Sequence, residues 1–254
     1  MGQGKNFAKN LIAKTLSAGL QHKIRRFYLA RRVVAGREFH EIEMNVLGAM
    51  IARGDGVADI GANVGAYTKH LSLLVGDAGR VHAFEPVAAN YDILQTVVRK
   101  AKLTNVQLFR LALGATLEQR EIAIPDLGGF TGYYWAHLAK PGEHGETVTV
   151  TTLDELSRTK AISRLDFIKC DVEGGELEVI QGAGTLLENE RPGWLLEVSR
   201  PTSTEVFSAL LGRGYRAFVY DGKLHETKTY RDKEFSNYFF FHPLSKIWPR
   251  LKIS

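Results

Sequence analysis

Val57-Ala58-Asp59-Ile60-Gly61-Ala62-Asn63-Val64-Gly65 is an apolar run that leads into a turn bearing two glycines. The run has the length and composition of a buried strand, and the helical spacing of the residues that follow predicts a helix from Ala66 to Val75. Glycines permit a sharp bend and leave peptide N–H groups open to a ligand. Because these groups lie at the positive end of a helix dipole, the turn is expected to bind a phosphate or a carboxylate.

A second predicted strand ends in Glu85 and Pro86, about twenty residues beyond the turn, where nucleotide-binding folds hold a ribose. A carboxylate there can accept hydrogen bonds from both ribose hydroxyls. The turn reads Gly-x-Asn-x-Gly, and Asp59 adds a negative charge close to Gly61. That charge disfavours a pyrophosphate but suits the amino group and sulfonium of S-adenosylmethionine. The residues therefore favour S-adenosylmethionine over NAD.

A second acidic centre, Asp171-Val172-Glu173-Gly174-Gly175-Glu176, follows another predicted strand. Its three acids repel one another unless a positive group shares the site, and a sulfonium, Lys169 or a divalent metal could each supply that charge. Glu197 ends the next strand and is expected at the same edge of the sheet.

Three segments together resemble the FkbM-type family of S-adenosylmethionine-dependent methyltransferases: Asp59 to Gly65, Phe84 to Pro86 and Asp171 to Glu176. The resemblance extends over most of the chain, from about Glu38 to Pro243. It implies a Rossmann-like fold and S-adenosylmethionine as the methyl donor. The known members of the family are largely O-methyltransferases of sugars and polyketide-type natural products.

The alternation of strands and helices predicts an α/β fold with a doubly wound, mostly parallel sheet. The segments Arg216 to Tyr220 and Asn237 to Phe241 are expected to close it as an antiparallel edge pair. We assign residues 38–254 to one methyltransferase domain and residues 1–37 to an N-terminal helical extension.

The net charge of +5 is distributed unevenly along the chain. Residues 1–37 contain nine Lys or Arg and no acid, which leaves a net charge of −4 for residues 38–254. This basic arm has amphipathic helical spacing, and no nucleic-acid partner is expected because the rest of the chain is not basic. The arm is expected to dock on the domain or on a second subunit; a contact with a membrane surface or an anionic substrate is the alternative.

Location can be predicted only broadly. The single Cys170 excludes an internal disulfide and suits a reducing cytoplasm. No apolar run is long enough to span a bilayer. We therefore expect a cytoplasmic protein, with a peripheral position at the inner membrane surface as the alternative that the arm leaves open.

The candidate site residues fall into two groups. Those expected to bind the donor are Asp59, Gly61, Asn63, Gly65, Glu85, Ala112, Leu113 and Asp171. Those expected to act on the acceptor proton are Asp171, Glu173, Glu197 and His137, with His144 as a further base. Asp171, Glu173 and Glu197 also form an oxygen ligand set that Mg²⁺ would accept, although no closed set of metal ligands can be identified.

The sequence thus predicts an O-methyltransferase acting on a hydroxyl of a small molecule or glycan. An aromatic, glycine-rich loop from Gly128 to His144 is the expected acceptor region. Two alternatives stay open: an NAD-dependent oxidoreductase, and a non-catalytic adenosyl-binding or membrane-associating protein.

Overall fold

A computed structural model describes residues 17–37, 40–124, 137–138, 145–232 and 234–251. Most of the predicted acceptor loop and the first sixteen residues of the arm lie outside these ranges.

The strands of the described residues are β1 (Gly56–Ile60), β2 (Arg80–Phe84), β3 (Val106–Phe109), β4 (Ala112–Leu113), β5 (Glu118–Ala123), β6 (His137–Leu138), β7 (Glu146–Thr151), β8 (Phe167–Cys170), β9 (Gly193–Glu197), β10 (Arg216–Tyr220), β11 (Leu224–Thr227) and β12 (Asn237–Phe241). The helices are α1 (Ala18–Val34), α2 (Met44–Met50), α3 (Ala66–Val75), α4 (Ala88–Ala101), α5 (Leu153–Arg158), α6 (Glu176–Gln181), α7 (Gly184–Asn189) and α8 (Ser203–Leu211). Short 3₁₀ turns occur at Arg200–Thr202 and Trp248–Arg250.

Eight strands form the main sheet in the order β11-β10-β12-β9-β8-β1-β2-β3. The strands from β9 to β3 are mutually parallel, whereas β12 is antiparallel to both of its neighbours. This arrangement confirms the α/β fold with a mostly parallel sheet. The expected antiparallel pair of β10 with β12 is also present at one end of the sheet, and the strand β11 adds to it on the outside. β10 pairs with β11 in a hairpin on one side and with β12 on the other.

Both faces of the main sheet are buried. Alternate residues of β1 point to opposite faces, so that Val57 packs with α2 and α3 while Ile60 packs with α5 to α8. Four of the remaining strands form a small second sheet in the order β4-β7-β5-β6. This small sheet begins immediately beyond the end of β3 and so stands beside the carboxyl edge of the main sheet.

Helix α1, the described part of the arm, packs against α4 and α3. Its buried residues Ala30 and Val33 join Ile93 and Val97 of α4 in one apolar cluster. The arm therefore docks on the domain of its own chain over these residues. None of the described helices combines the length and the apolar character needed to cross a bilayer.

Candidate active site

The strand β1 ends in the glycine turn at the centre of the main sheet. The N–H groups of Gly61 and Ala62 donate to the Phe84 carbonyl at 3.1 and 2.9 Å, which ties the turn to the end of β2. Asn63 and Gly65 have φ angles of 49° and 90°, in the left-handed region. Gly65 is the N-cap of α3, and the dipole of that helix therefore begins at the turn.

The two glycines of the turn are needed for close packing as well as for the bend. A Cβ on Gly61 would lie 1.8 Å from the Asp171 carbonyl oxygen, and one on Gly65 would lie 2.7 Å from a methyl carbon of Leu94. The absence of a side chain at Gly61 therefore lets the glycine turn pack directly against the backbone of Asp171. This packing role adds to the ligand access inferred from the sequence.

Glu85 follows β2 and is 4% exposed. Its carboxylate accepts hydrogen bonds from the N–H groups of Asn63 and Val87 at 2.8 and 2.9 Å. Burial raises the pKa of Glu85 to about 7, although these two N–H groups lower it. The side chain is thus fixed beside the glycine turn with lone pairs left for a ligand.

A crevice opens between the carboxyl ends of β1, β2 and β8, as expected where the strand order of a parallel sheet reverses. Its empty space is about 730 Å³ when the open solvent at its mouth is included. The predicted residues that line it are Gly61, Asn63, Glu85, Ala112, Leu113, Asp171 and Glu173. Apolar groups including Leu111, Ile122 and Val172 line it as well.

Asn90 also lines the crevice, and the sequence analysis missed it. Its side chain hydrogen-bonds Glu85 and accepts a hydrogen bond from Arg25 of α1 at 2.9 Å. The signal was present, because Asn90 is a buried polar residue on the face of α4 that otherwise carries Ile93, Leu94 and Val97.

Asp59 does not line the crevice, contrary to expectation. It is fully buried inside the sheet, where it accepts a hydrogen bond from the Thr68 hydroxyl at 2.5 Å. Burial raises its pKa, while Lys169 and Thr68 act in the opposite direction. Gly65 is likewise absent from the lining residues and acts at the start of α3 instead.

Lys169 is the positive group that the acidic segments require. Its ammonium lies 3.2 Å from Asp171, 4.0 Å from Asp59 and 4.9 Å from the centre of the Tyr67 ring. Burial alone would lower the pKa of Lys169, but Asp171 and Asp59 raise it above its ordinary value. Of the three sources of positive charge considered from the sequence, Lys169 is thus one that the structure pairs with an acid.

Asp171, Glu173 and Glu197 meet at the ends of β8 and β9, with one carboxylate oxygen of each within 4.8 Å of the others. Burial would raise the pKa of Asp171, but Lys169 and a hydrogen bond from Glu197 hold it below its ordinary value. Burial and the neighbouring Asp171 raise the pKa of Glu197 to about 9. The two carboxyl groups of Asp171 and Glu197 therefore share one proton at neutral pH.

Two further acids have structural roles. Glu176 is buried and accepts hydrogen bonds from the N–H groups of Val172 and Gly174, so that it shapes the loop before α6. Glu178 pairs with Arg120 at 2.7 Å and ties α6 to the small sheet. His137 belongs to β6, whose backbone pairs with β5, but its side chain is outside the description, as is all of His144.

Residues 59–217 of the chain match the family described as Methyltransferase FkbM domain, which is more than half of the chain. Among solved structures, the chain is similar to methyltransferase FkbM from Methylobacillus flagellatus KT, with a TM-score of 0.52 and 16% identity. The match covers 86% of this chain and 59% of that one, so the chain spans less than two thirds of its length. This likeness shows a shared fold.

A further similar structure is a SAM-dependent O-methyltransferase from Thermotoga maritima, with a TM-score of 0.48 and 13% identity. That match covers 84% of this chain and 69% of the other. Comparison with curated proteins gives no match.

Proposed function

The chain belongs to the FkbM family of methyltransferases, and on that basis we propose that it transfers a methyl group from S-adenosylmethionine to a hydroxyl oxygen of a small molecule or glycan. The family membership makes the protein an S-adenosylmethionine-dependent methyltransferase and opposes the NAD-dependent alternative. The hydroxyl acceptor is our proposal. The observation that carries it is that Asp171 lines the crevice and has Glu197 beside it, a carboxyl pair that can accept the proton that a hydroxyl must lose.

In this proposal the donor occupies the crevice between β1, β2 and β8. The lone pairs of Glu85 accept hydrogen bonds from the ribose hydroxyls. The turn from Gly61 to Asn63 and the start of α3 face the carboxylate of the donor. The apolar side chains near Leu113 and Ile122 cover the adenine.

The sulfonium is placed at the Asp171–Glu197 pair, where negative charge favours it. A sulfonium bound there would lower the proton affinity of the pair, which would release its shared proton to the solvent. The bound donor would supply a methyl group for in-line attack by the acceptor oxygen and leave as S-adenosylhomocysteine, and the Asp171–Glu197 pair would take up the hydroxyl proton. Loss of the sulfonium charge during the same step raises the proton affinity of the pair.

A metal ion is not part of this mechanism. One carboxylate oxygen each of Asp171, Glu173 and Glu197 lie close enough together to hold a cation, but the ammonium of Lys169 already pairs with Asp171 and would compete with the cation for this carboxylate. Mg²⁺ was left open by the sequence, and the charges of these residues do not favour it. We expect methyl transfer to keep its rate in excess EDTA.

Calorimetry with two matched ligands tests the proposed site. S-Adenosylmethionine and S-adenosylhomocysteine differ in the sulfonium charge, so we expect the former to release a proton at pH 7 to 8 and the latter to release much less. The number of protons is obtained by repeating each titration in buffers of different ionisation enthalpy. Glu197→Gln should abolish the difference, and exposed Glu188→Ala should leave it unchanged.

The possible results separate the parts of the proposal. Loss of binding of both ligands in Glu85→Ala, by about 10- to 100-fold, would support the ribose contact. Equal proton release for both ligands would contradict the proposed position of the sulfonium beside Asp171 and Glu197, and the proposed role of these two residues as the proton acceptor. Absence of binding by either ligand would contradict the donor site itself.

The acceptor chemistry is tested with donor labelled in the methyl group and extracts of hydroxylated metabolites and glycans. A methyl ether retains its label in alkali, whereas a methyl ester releases labelled methanol. Alkali-stable label that is lost in Glu197→Gln would support transfer to a hydroxyl. Alkali-labile label would contradict it.

A further inference from the structure

Helix α1 carries a row of exposed apolar side chains on the face turned away from the domain. The row consists of Leu20, Ile24, Phe27 and Tyr28, each between 44% and 59% exposed. Their spacing places them on one side of the helix, whereas Ala30 and Val33 face α4. The described part of the chain has four other exposed large apolar residues, at separate places. We call Leu20, Ile24, Phe27 and Tyr28 the outer stripe.

Cations surround the outer stripe. The Lys100 ammonium lies 4.8 Å from the centre of the Phe27 ring, and the Arg32 guanidinium lies 5.6 Å from that of Tyr28. Lys23 and Arg31 are exposed on the same helix. Residues 1–37 contain nine Lys or Arg and no acid. The nearest acid on α4, Asp92, is paired with His22 at 3.1 Å.

We propose that the outer stripe binds the surface of a bilayer containing anionic phospholipids, which is a binding role beyond methyl transfer. Apolar and aromatic side chains bordered by Lys and Arg enter the boundary between headgroups and acyl chains, while the cations meet lipid phosphates. The positive charge around the outer stripe favours an anionic bilayer over a second copy of the chain, because pairing two outer stripes would bring two sets of cations together. The apolar side chains also distinguish the outer stripe from a surface that binds only the phosphate backbone of a nucleic acid, because such a surface needs cations but no row of exposed apolar residues.

Vesicle flotation with the full chain tests the proposal. Vesicles of phosphatidylglycerol mixed with phosphatidylcholine are compared with vesicles of phosphatidylcholine alone, at about 0.1 M and about 1 M salt. We expect binding to the mixed vesicles at low salt and a large loss at high salt. Pure phosphatidylcholine should bind the protein at least about ten-fold more weakly.

Two variants separate the apolar and the electrostatic contributions. Ile24→Ser with Phe27→Ser should reduce the partition coefficient at least about ten-fold, because two apolar side chains no longer enter the bilayer. Lys23→Gln with Arg31→Gln should reduce it by about five-fold for each charge removed. Leu244→Ser replaces an apolar residue that is 74% exposed elsewhere, and it should bind as the wild type does.

The replaced side chains are exposed, so each variant should keep the wild-type melting temperature and donor affinity. Equal binding to both kinds of vesicle would overturn the proposal, as would wild-type binding by Ile24→Ser with Phe27→Ser. A dimer of the wild type that this double variant dissociates, without any vesicle binding, would assign the outer stripe to a second copy instead.

Discussion

Lys169 lies between a fully buried carboxylate and one at the crevice, Asp59 and Asp171. Removal of the Lys169 ammonium would leave the carboxylates of Asp59 and Asp171 without the positive charge that now offsets their negative charges. We expect Lys169→Met to lower the free energy of unfolding by about 3–5 kcal/mol, because a buried ion pair broken on one side leaves an unpaired charge. Urea unfolding followed by circular dichroism measures this change.

The double variant Asp59→Asn with Lys169→Met is the matched control. The asparagine oxygen can still accept the Thr68 hydrogen bond without carrying a charge. The double variant should therefore recover part of the stability lost by Lys169→Met. If the losses of the two single changes simply add, the interaction between Asp59 and Lys169 contributes nothing measurable.

At the scale of single residues, the sequence predicted which side chains lie at the edge of the sheet better than which way they point. Glu85 and Asp171 follow the last residue of their strands, and both line the crevice as expected. Asp59 belongs to the strand itself, and the pleat directs it into the protein beside Thr68. Because the residues of β1 on both sides of Asp59 are apolar, the sequence alone does not show to which face of the sheet the Asp59 side chain points.

Among the elements, α1 reaches the crevice through one hydrogen-bonded chain, from Arg25 to Asn90 to Glu85. We expect Arg25→Met to weaken binding of S-adenosylhomocysteine by about two- to five-fold, because the Asn90 amide loses a partner that orients it. Calorimetry measures the affinity. Arg31→Met alters an exposed residue of the same helix and should retain wild-type affinity; an equal loss in both variants would contradict the role of Arg25.

The helices and strands were predicted best where hydrophobic periodicity is strong. The bounds of α3, β10 and β12 agree with the sequence prediction. The antiparallel pairing of β10 with β12 was predicted as well, but the presence of β11 at the outer edge beside β10 was not. β11 was missed because Leu224–Thr227 alternates weakly between buried and exposed side chains.

For the whole molecule, the protonated Glu197 makes stability depend on pH. Its pKa is about 9 in the folded protein and ordinary, near 4.5, in the unfolded chain. Its stabilising contribution is thus fully present below the ordinary pKa and is lost as the pH rises through about 9. We expect the melting temperature to fall by about 2–4 °C between pH 7 and pH 9, since the partial burial of Glu197 limits the effect to about 1 kcal/mol.

Melting curves of the wild type and Glu197→Gln at the two pH values test this expectation. Glutamine can donate to Asp171 as the protonated acid does, but it cannot ionise. The variant should therefore lose less stability than the wild type over this range. An identical decline in both proteins would place the responsible titration elsewhere.

The overall architecture followed from the order of strands and helices, because short right-handed crossovers leave few arrangements. The small sheet did not, since β4 to β7 are brought together by pairing between distant segments rather than by local periodicity. Asn90 of α4 differs, because its helical spacing from Ile93, Leu94 and Val97 could have predicted that it faces the interior beside the crevice.

The interior place of β12 has a consequence for biosynthesis. This strand is the last of the twelve to leave the ribosome, yet it joins β9 to β10 across the sheet. Until Phe241 has emerged, the edges of β9 and β10 that later pair with β12 remain unpaired in the nascent chain. Protection by chaperones would matter most during that interval, and a premature stop codon before Asn237 would yield an aggregation-prone product.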